Sequence, residues 1–175
     1  MSNYQHFKWL FLCYKLASSV SNLASSEKCQ YKNKSYNFTC DESTKDTDSE
    51  FCIFHDINYL KDDNYEKHKE KVANRFKGKL REYSSNDMPF NFTGYRLPEI
   101  SFENNEFRQP LYFIGATFYG TTDFNGANFY NLAIFSEAEV LRETKFSRAK
   151  FYEQARLYKA KFSEYEVLIQ LPSPT

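Results

Sequence analysis

Large apolar residues recur at short, regular intervals through the second half of the chain. The intervals are five residues at first and then alternate between six and five, which gives an 11-residue unit. A small residue, Ala or Thr, lies two positions before each large one from Phe118 to Phe162. The large residues that we take as the core ladder are Phe102, Phe107, Phe113, Phe118, Phe124, Phe129, Phe135, Val140, Phe146, Phe151, Leu157 and Phe162.

A helix does not fit this pattern. At ~100° per residue, positions five or six apart fall ~140° and ~240° around a helix axis, which scatters the aromatic residues over opposite faces. In an extended segment, residues two apart point to the same side, so the small and the large residue both face inward. A coil of four such sides uses ~20–22 residues, and side chains that far apart then stack in neighbouring coils. The spacing therefore predicts a four-sided β-solenoid.

Three segments of this pattern resemble a known family. Residues 113–118 read Phe-Ile-Gly-Ala-Thr-Phe, residues 124–129 read Phe-Asn-Gly-Ala-Asn-Phe, and residues 146–151 read Phe-Ser-Arg-Ala-Lys-Phe. They resemble the Phe-rich variant of the pentapeptide-repeat family, and the resemblance covers about residues 90–168. It implies a mainly β protein with a right-handed quadrilateral β-helix, which we place at residues 87–170. The family includes DNA-mimicking gyrase-binding proteins and effectors, so the fold alone does not decide the function.

Upstream of the repeats, residues 28–60 contain four candidate metal ligands: Cys29, Cys40, Cys52 and His55. Three thiolates and one imidazole form a full tetrahedral set for a closed structural Zn²⁺ site, and the Cys-x-x-His spacing places two ligands on one turn. The alternative is that the cysteines are ordinary buried thiols and His55 is a core or surface histidine. No open coordination position argues for catalysis by such a site.

Two further resemblances concern this region. The ligand layout resembles the three-cysteine, one-histidine zinc motif of plant growth-regulating transcription factors, although each long loop is one residue longer here. The order of Cys-Ile-Phe-His-Asp at residues 52–56 and Asn-Phe-Thr-Gly at residues 91–94 is similar to that of archaeal pentapeptide-repeat proteins. This order of parts extends the resemblance over about residues 29–168.

Residues 61–86 predict an amphipathic helix that caps the first coil, because an uncovered coil exposes apolar side chains and strand edges. Asp62 and Asp63 are expected to cap its N-terminus, and the helix is expected to run to about Tyr83. Its apolar face consists of Tyr65, Val72, Phe76, Leu80 and Tyr83. Candidate contacts to phosphate, an acidic membrane surface or an acidic partner are Lys67, Lys71, Arg75 and Lys79. The alternative is a solvated basic face.

The two ends of the chain give expectations about location and assembly. Residues 1–27 are predicted to be a leader, helical or disordered, whose apolar run is shorter than the ~20 residues that span a membrane. We expect a cytoplasmic protein; the alternative is a secreted or membrane-surface protein that uses residues 7–23. After Phe162 the sequence shows no helix long enough to close the stack, so the C-terminal coil is expected to pair with a second copy. The alternative is a shortened member of the family whose downstream part is missing.

Composition narrows the function further. The 23 Lys and Arg balance the 23 Asp and Glu, and residues 137–166 are slightly basic, which disfavours an acidic DNA mimic that binds a topoisomerase. Three histidines and the lack of a glycine-rich phosphate loop disfavour an enzyme. The sequence therefore predicts a non-enzymatic interaction scaffold with an unidentified protein partner. The alternative is a nucleic-acid-associated protein that uses the zinc site and the basic helix.

Overall fold

The computed structural model describes residues 28–163. The predicted leader, residues 1–27, and the last residues of the predicted solenoid, 164–170, lie outside the described residues. The described part begins with an antiparallel hairpin of β1 (Lys32–Asn33) and β2 (Phe38–Thr39), joined by a 3-10 turn at Lys34–Tyr36. One α-helix, α1 (Asn64–Ser85), separates this hairpin from the repeats.

Fourteen strands of two residues each build the repeat region in the described part of the chain. They are β3 (Phe90–Asn91), β4 (Arg96–Leu97), β5 (Ile100–Ser101), β6 (Glu106–Phe107), β7 (Leu111–Tyr112), β8 (Thr117–Phe118), β9 (Thr122–Asp123), β10 (Asn128–Phe129), β11 (Ala133–Ile134), β12 (Glu139–Val140), β13 (Thr144–Lys145), β14 (Lys150–Phe151), β15 (Ala155–Arg156) and β16 (Lys161–Phe162).

These strands form four parallel sheets, one on each side of a solenoid. The first face is β3-β7-β11-β15, the second is β4-β8-β12-β16, the third is β5-β9-β13 and the fourth is β6-β10-β14. Each strand pairs with strands one coil away, as in the alignment of Phe129 with both Phe107 and Phe151. The predicted mainly β, four-sided fold is therefore confirmed, with about three turns of solenoid.

The inward aromatic residues stack along the solenoid axis. Phe124 lies 4.7 Å from Phe102 and 4.8 Å from Phe146 between ring centroids, with nearly parallel planes. On the fourth face, Phe129 lies 5.1 Å from Phe107 and 4.4 Å from Phe151. The residues two positions earlier are small and buried: Thr122 and Thr144 before Phe124 and Phe146, and Ala127 and Ala149 before Phe129 and Phe151. They leave room for these rings. The core thus consists of aromatic columns, in which each ring stacks on the equivalent ring one coil away.

Alternate corners of the solenoid adopt the left-handed backbone conformation. Glycine occupies this position at Gly94, Gly115 and Gly126, each two residues after an inward Phe. In other coils the same corners are occupied by Asn104, Glu137, Arg148 and Lys159, with φ between 56° and 60°. Left-handed conformations are easily adopted by glycine and strained for most other residues. A glycine two residues after an inward Phe therefore marks three of these corners in the sequence, and the other four carry no glycine to mark them.

Helix α1 packs its apolar face on the first coil. Val72 and Phe76 are buried, and the Phe76 ring lies 4.6 Å from Phe92 and 5.9 Å from Phe102 between centroids. The Tyr65 hydroxyl accepts a hydrogen bond from the Glu99 backbone N–H at 3.3 Å. The expected N-terminal cap is wrong in its detail: Asp63 is the N-cap residue, but its side chain makes no capping hydrogen bond and its backbone is already helical.

Candidate metal centre

The hairpin brings two of the predicted ligands to one face. Its register pairs Cys29 with Glu42 and Tyr31 with Cys40, through hydrogen bonds from Cys29 N to Glu42 O at 2.9 Å and from Cys40 N to Tyr31 O at 3.1 Å. Because side chains alternate along a strand, these four residues point to the same side. Cys29, Cys40 and Glu42 are buried, whereas Gln30 is exposed. The two thiols therefore become diagonal neighbours.

A tight turn supplies the other two ligands. The backbone N–H groups of His55 and Asp56 both donate to the Cys52 carbonyl at 2.9 Å. This turn places the Cys52 thiol and the His55 ring on one side, and both side chains are buried. We call residues 52–55 the knuckle.

The four ligand atoms converge in the interior. The sulfur and nitrogen atoms of Cys29, Cys40, Cys52 and His55 all lie within 4.8 Å of one another. His55 Nδ1 lies 3.3 Å from Cys52 Sγ and 3.6 Å from Cys29 Sγ, and the Sγ atoms of Cys40 and Cys52 are 3.9 Å apart. With Zn–S bonds of ~2.3 Å and Zn–N bonds of ~2.0–2.1 Å, a tetrahedral site has ligand separations of ~3.5–3.8 Å. The donor set and its spacing fit Zn²⁺.

Contacts around His55 fix how its ring faces the sulfurs. Its Nε2 lies 3.0 Å from the carbonyl oxygen of Thr93. A carbonyl only accepts hydrogen bonds, so Nε2 carries the proton and donates, which leaves the Nδ1 lone pair directed at the thiols. Tyr31 stacks on the imidazole at 3.9 Å between centroids. Such an outer hydrogen bond is the usual support of a metal-binding histidine.

The three thiols differ in acidity because they are hydrogen-bonded to one another. Hydrogen bonds from the Cys40 and Cys52 thiols lower the pKa of Cys29 far below its ordinary value. The pKa of Cys40 is raised, first by its hydrogen bond to Cys29, and the corresponding bond raises the pKa of Cys52 to about 12. Zn²⁺ binds cysteine as the thiolate, so an ion at this position would take up Cys40 and Cys52 without their protons. Metal binding at this cluster therefore releases protons.

A buried carboxylate next to the cluster binds the basic face of helix α1. Glu42, with its side chain 5% exposed, contacts Lys79 Nζ at 2.5 Å and Arg75 Nη2 at 3.2 Å. Lys71 pairs with Asp46 of the same N-terminal region at 3.0 Å. Three of the four predicted binding residues thus hold the helix to the cysteine region. Lys67, the fourth, lines an open polar groove.

The outer surface of the solenoid carries both signs of charge. Glu139 and Lys161 are neighbours on the second face at 3.8 Å, and Glu143 and Lys145 lie 3.7 Å apart. The exposed rings of Tyr130 and Tyr152 stack at 4.8 Å between centroids, with the Arg108 guanidinium 5.8 Å from the Tyr130 ring centroid. The described outer surface thus combines charges of both signs with exposed aromatic rings.

These features define a β-solenoid protein with a buried Cys₃His cluster before its first coil. The family model described as "Pentapeptide repeats (9 copies)" matches residues 102–140 and 124–165. The solenoid is therefore built from pentapeptide repeats, as the resemblance implied. No curated protein and no solved structure gave a significant match. The similarity to archaeal members stays a prediction.

Helix α1 is the α-helix of the described part of the chain, residues 28–163. Within that part of the chain, no helix combines the length and the apolar character needed to cross a bilayer.

Proposed function

We propose that this protein is a non-enzymatic scaffold in which a structural Zn²⁺ ion holds the N-terminal cap and the solenoid presents rigid faces to a protein partner. Cys29, Cys40, Cys52 and His55 Nδ1 bind the ion. Four protein ligands complete the tetrahedral coordination, so the ion stabilises the fold and offers no position for a substrate. The observation that carries this proposal is the convergence of four buried ligand atoms within 4.8 Å.

The structural role follows from the size of the N-terminal region. Its hairpin has two strands of two residues, and an isolated two-stranded hairpin is marginally stable in water. A bound metal adds binding free energy directly to folding free energy. The ion pairs of Lys71, Arg75 and Lys79 favour a cap-forming role for helix α1 over contact with nucleic acid.

Metal content tests the zinc site. Protein purified without chelators is expected to contain about one zinc ion per chain by elemental mass spectrometry. Cys52→Ser is expected to lower this content strongly, because serine is a poor zinc ligand. Cys13→Ser is the matched control, since it removes a thiol outside the four-ligand set and is expected to keep the ion. Zinc-free wild-type protein, or equal zinc in both variants, would contradict the proposal.

The scaffold is proposed to associate with a second copy through its C-terminal coil. Ala155 and Leu157 in the last described coil are exposed, whereas their equivalents one coil earlier, Ala133 and Phe135, are buried. Pairing of this end with the same end of a second copy would form an isologous dimer and cover these side chains.

Sedimentation across micromolar concentrations tests this association. We expect a concentration-dependent rise in mass that Leu157→Glu lowers, because a carboxylate at the contact is desolvated on pairing. Leu141→Glu is the control: Leu141 is also an exposed leucine but lies at a corner of a middle coil. A strictly monomeric wild-type protein would rule out the dimer, and so would equal effects of the two substitutions.

A further inference from the structure

The hydrogen-bond ladder of the second face continues below the first coil. Each N–H at one position of this face donates to a carbonyl one coil earlier: Lys161 to Ala138, Glu139 to Ala116 and Thr117 to Tyr95, all at 2.8 Å. The equivalent residue of the first coil is Arg96, which has no solenoid coil before it in the described residues. Its N–H donates to the carbonyl of Phe54 at 2.7 Å. Phe54 belongs to the knuckle.

Side chains around this bond repeat the arrangement inside the solenoid. The Phe54 ring stacks on Tyr95 at 4.3 Å between centroids with an interplanar angle of 8°. The Arg96 guanidinium donates to the His55 carbonyl at 3.2 Å. Beside it, the Tyr31 side chain fills the space next to Gly94 where a Cβ would stand. The knuckle thus occupies the place that a preceding coil would take.

We infer that the Cys₃His centre is a metal-dependent switch for the N-terminal edge of the solenoid. Phe54 lies between two ligands, Cys52 and His55. When the ion binds both of these residues, it keeps the Phe54 carbonyl in position to accept the hydrogen bond from Arg96. The inference rests on the proposed zinc site and adds a regulatory consequence to it. Loss of the ion breaks the hydrogen bond from the Arg96 N–H to the Phe54 carbonyl and exposes the β4 edge and the Tyr95 ring.

The exposed edge has a predictable chemistry. A strand edge with unpaired N–H and C=O groups pairs readily with another extended chain. The metal-loaded protein covers this edge with the knuckle, and the metal-free protein presents it. Each coil of the solenoid contacts only its neighbours. The loss of hydrogen-bond protection is therefore expected to be largest at Arg96 and to become smaller with each further coil.

Hydrogen exchange followed by NMR on full-length protein tests the switch. Zinc-loaded wild type is compared with Cys40→Ser, which removes a ligand distant in sequence from Phe54. The Arg96 amide is expected to exchange at least ~10-fold faster in the variant, because local opening exposes it. The Thr117 amide is expected to change less and the Glu139 amide to stay protected. Zinc-loaded Cys13→Ser is the matched control and is expected to match wild type.

The outcomes separate the switch from the metal site, because zinc content is measured in the same samples. If zinc binds to wild type but Arg96 exchanges equally in both proteins, the switch is wrong and the metal site stands. If Arg96 and Glu139 lose protection together, the ion controls the whole fold and the local switch is again wrong. If wild type takes up no zinc, the proposed metal site fails first, and the switch with it.

Discussion

Phe124→Ala is expected to lower the free energy of unfolding by about 3–5 kcal/mol, the usual cost of removing a fully buried phenylalanine. Phe124 is at the centre of the aromatic core, stacked on Phe102 below and Phe146 above. Its ring also meets Phe135 edge-on at 5.7 Å between centroids. Truncation therefore leaves a cavity and removes stacking contacts to the coils on both sides.

Urea denaturation of the purified variants measures this loss. The control is Phe151→Ala, which removes a phenylalanine of the neighbouring aromatic column in the last described coil. Phe151 is half-buried and stacks on Phe129 from one side in the described structure. A loss of about half that at Phe124 is expected, because about half the neighbouring surface is involved. Equal losses at the two positions would contradict a core held together by coil-to-coil stacking.

The aromatic columns could be predicted from sequence because a solenoid repeats in the chain as it repeats in space. Phe107 and Phe129 are one coil apart in sequence, and they stack because the coil returns to the same side after 22 residues. A pattern of inward large residues therefore specifies both the strands and their register. The four candidate metal ligands were equally visible, since three Cys and one His within a short segment form a recognisable donor set.

The contacts that join the N-terminal region, helix α1 and the solenoid leave no repeating pattern in the sequence. The Arg96 N–H donates to the Phe54 carbonyl. Because every residue has a backbone carbonyl, no residue type in the sequence indicates that this hydrogen bond forms. The ion pair between Glu42 and Lys79 joins distant segments that only the folded cap brings together. The basic stripe on helix α1 was read as a candidate binding surface because its carboxylate partners lie far away in sequence.

The helix cap was mispredicted for a related reason. Asp63 is a residue type that favours N-caps, but its φ of −62° and ψ of −20° are already helical. An N-cap side chain reaches the free amides from an extended backbone, which this conformation does not provide. The direction in which the chain enters helix α1 is instead set by Asp62, whose backbone is left-handed with a φ of 50°. The N-cap preference of Asp thus predicted the start of the helix correctly but predicted a capping hydrogen bond that is not formed.

Glu42→Gln is expected to lower the free energy of unfolding by about 2–4 kcal/mol, because it removes the buried partner of the largely buried Lys79 ammonium. The Lys79 side chain is 12% exposed, and its remaining partner is Glu82 at 3.0 Å. Burial alone would lower the pKa of Lys79, but the Glu42 and Glu82 carboxylates more than offset it and raise the pKa. The stabilisation is thus complete at neutral pH and is lost only as the pH rises above the ordinary lysine value of ~10.4.

A double-mutant cycle with Lys79→Met isolates this ion pair. Urea denaturation is expected to give a coupling energy of about 1–3 kcal/mol between Glu42 and Lys79, as found for residues in one buried network. Glu82→Gln is the matched control, because Glu82 contacts the same ammonium with a side chain 51% exposed and is expected to cost less than about 1 kcal/mol. If Glu82→Gln costs as much as Glu42→Gln, burial does not set the strength of this contact. Additive effects of Glu42→Gln and Lys79→Met would show that the pair does not hold helix α1 to the cysteine hairpin.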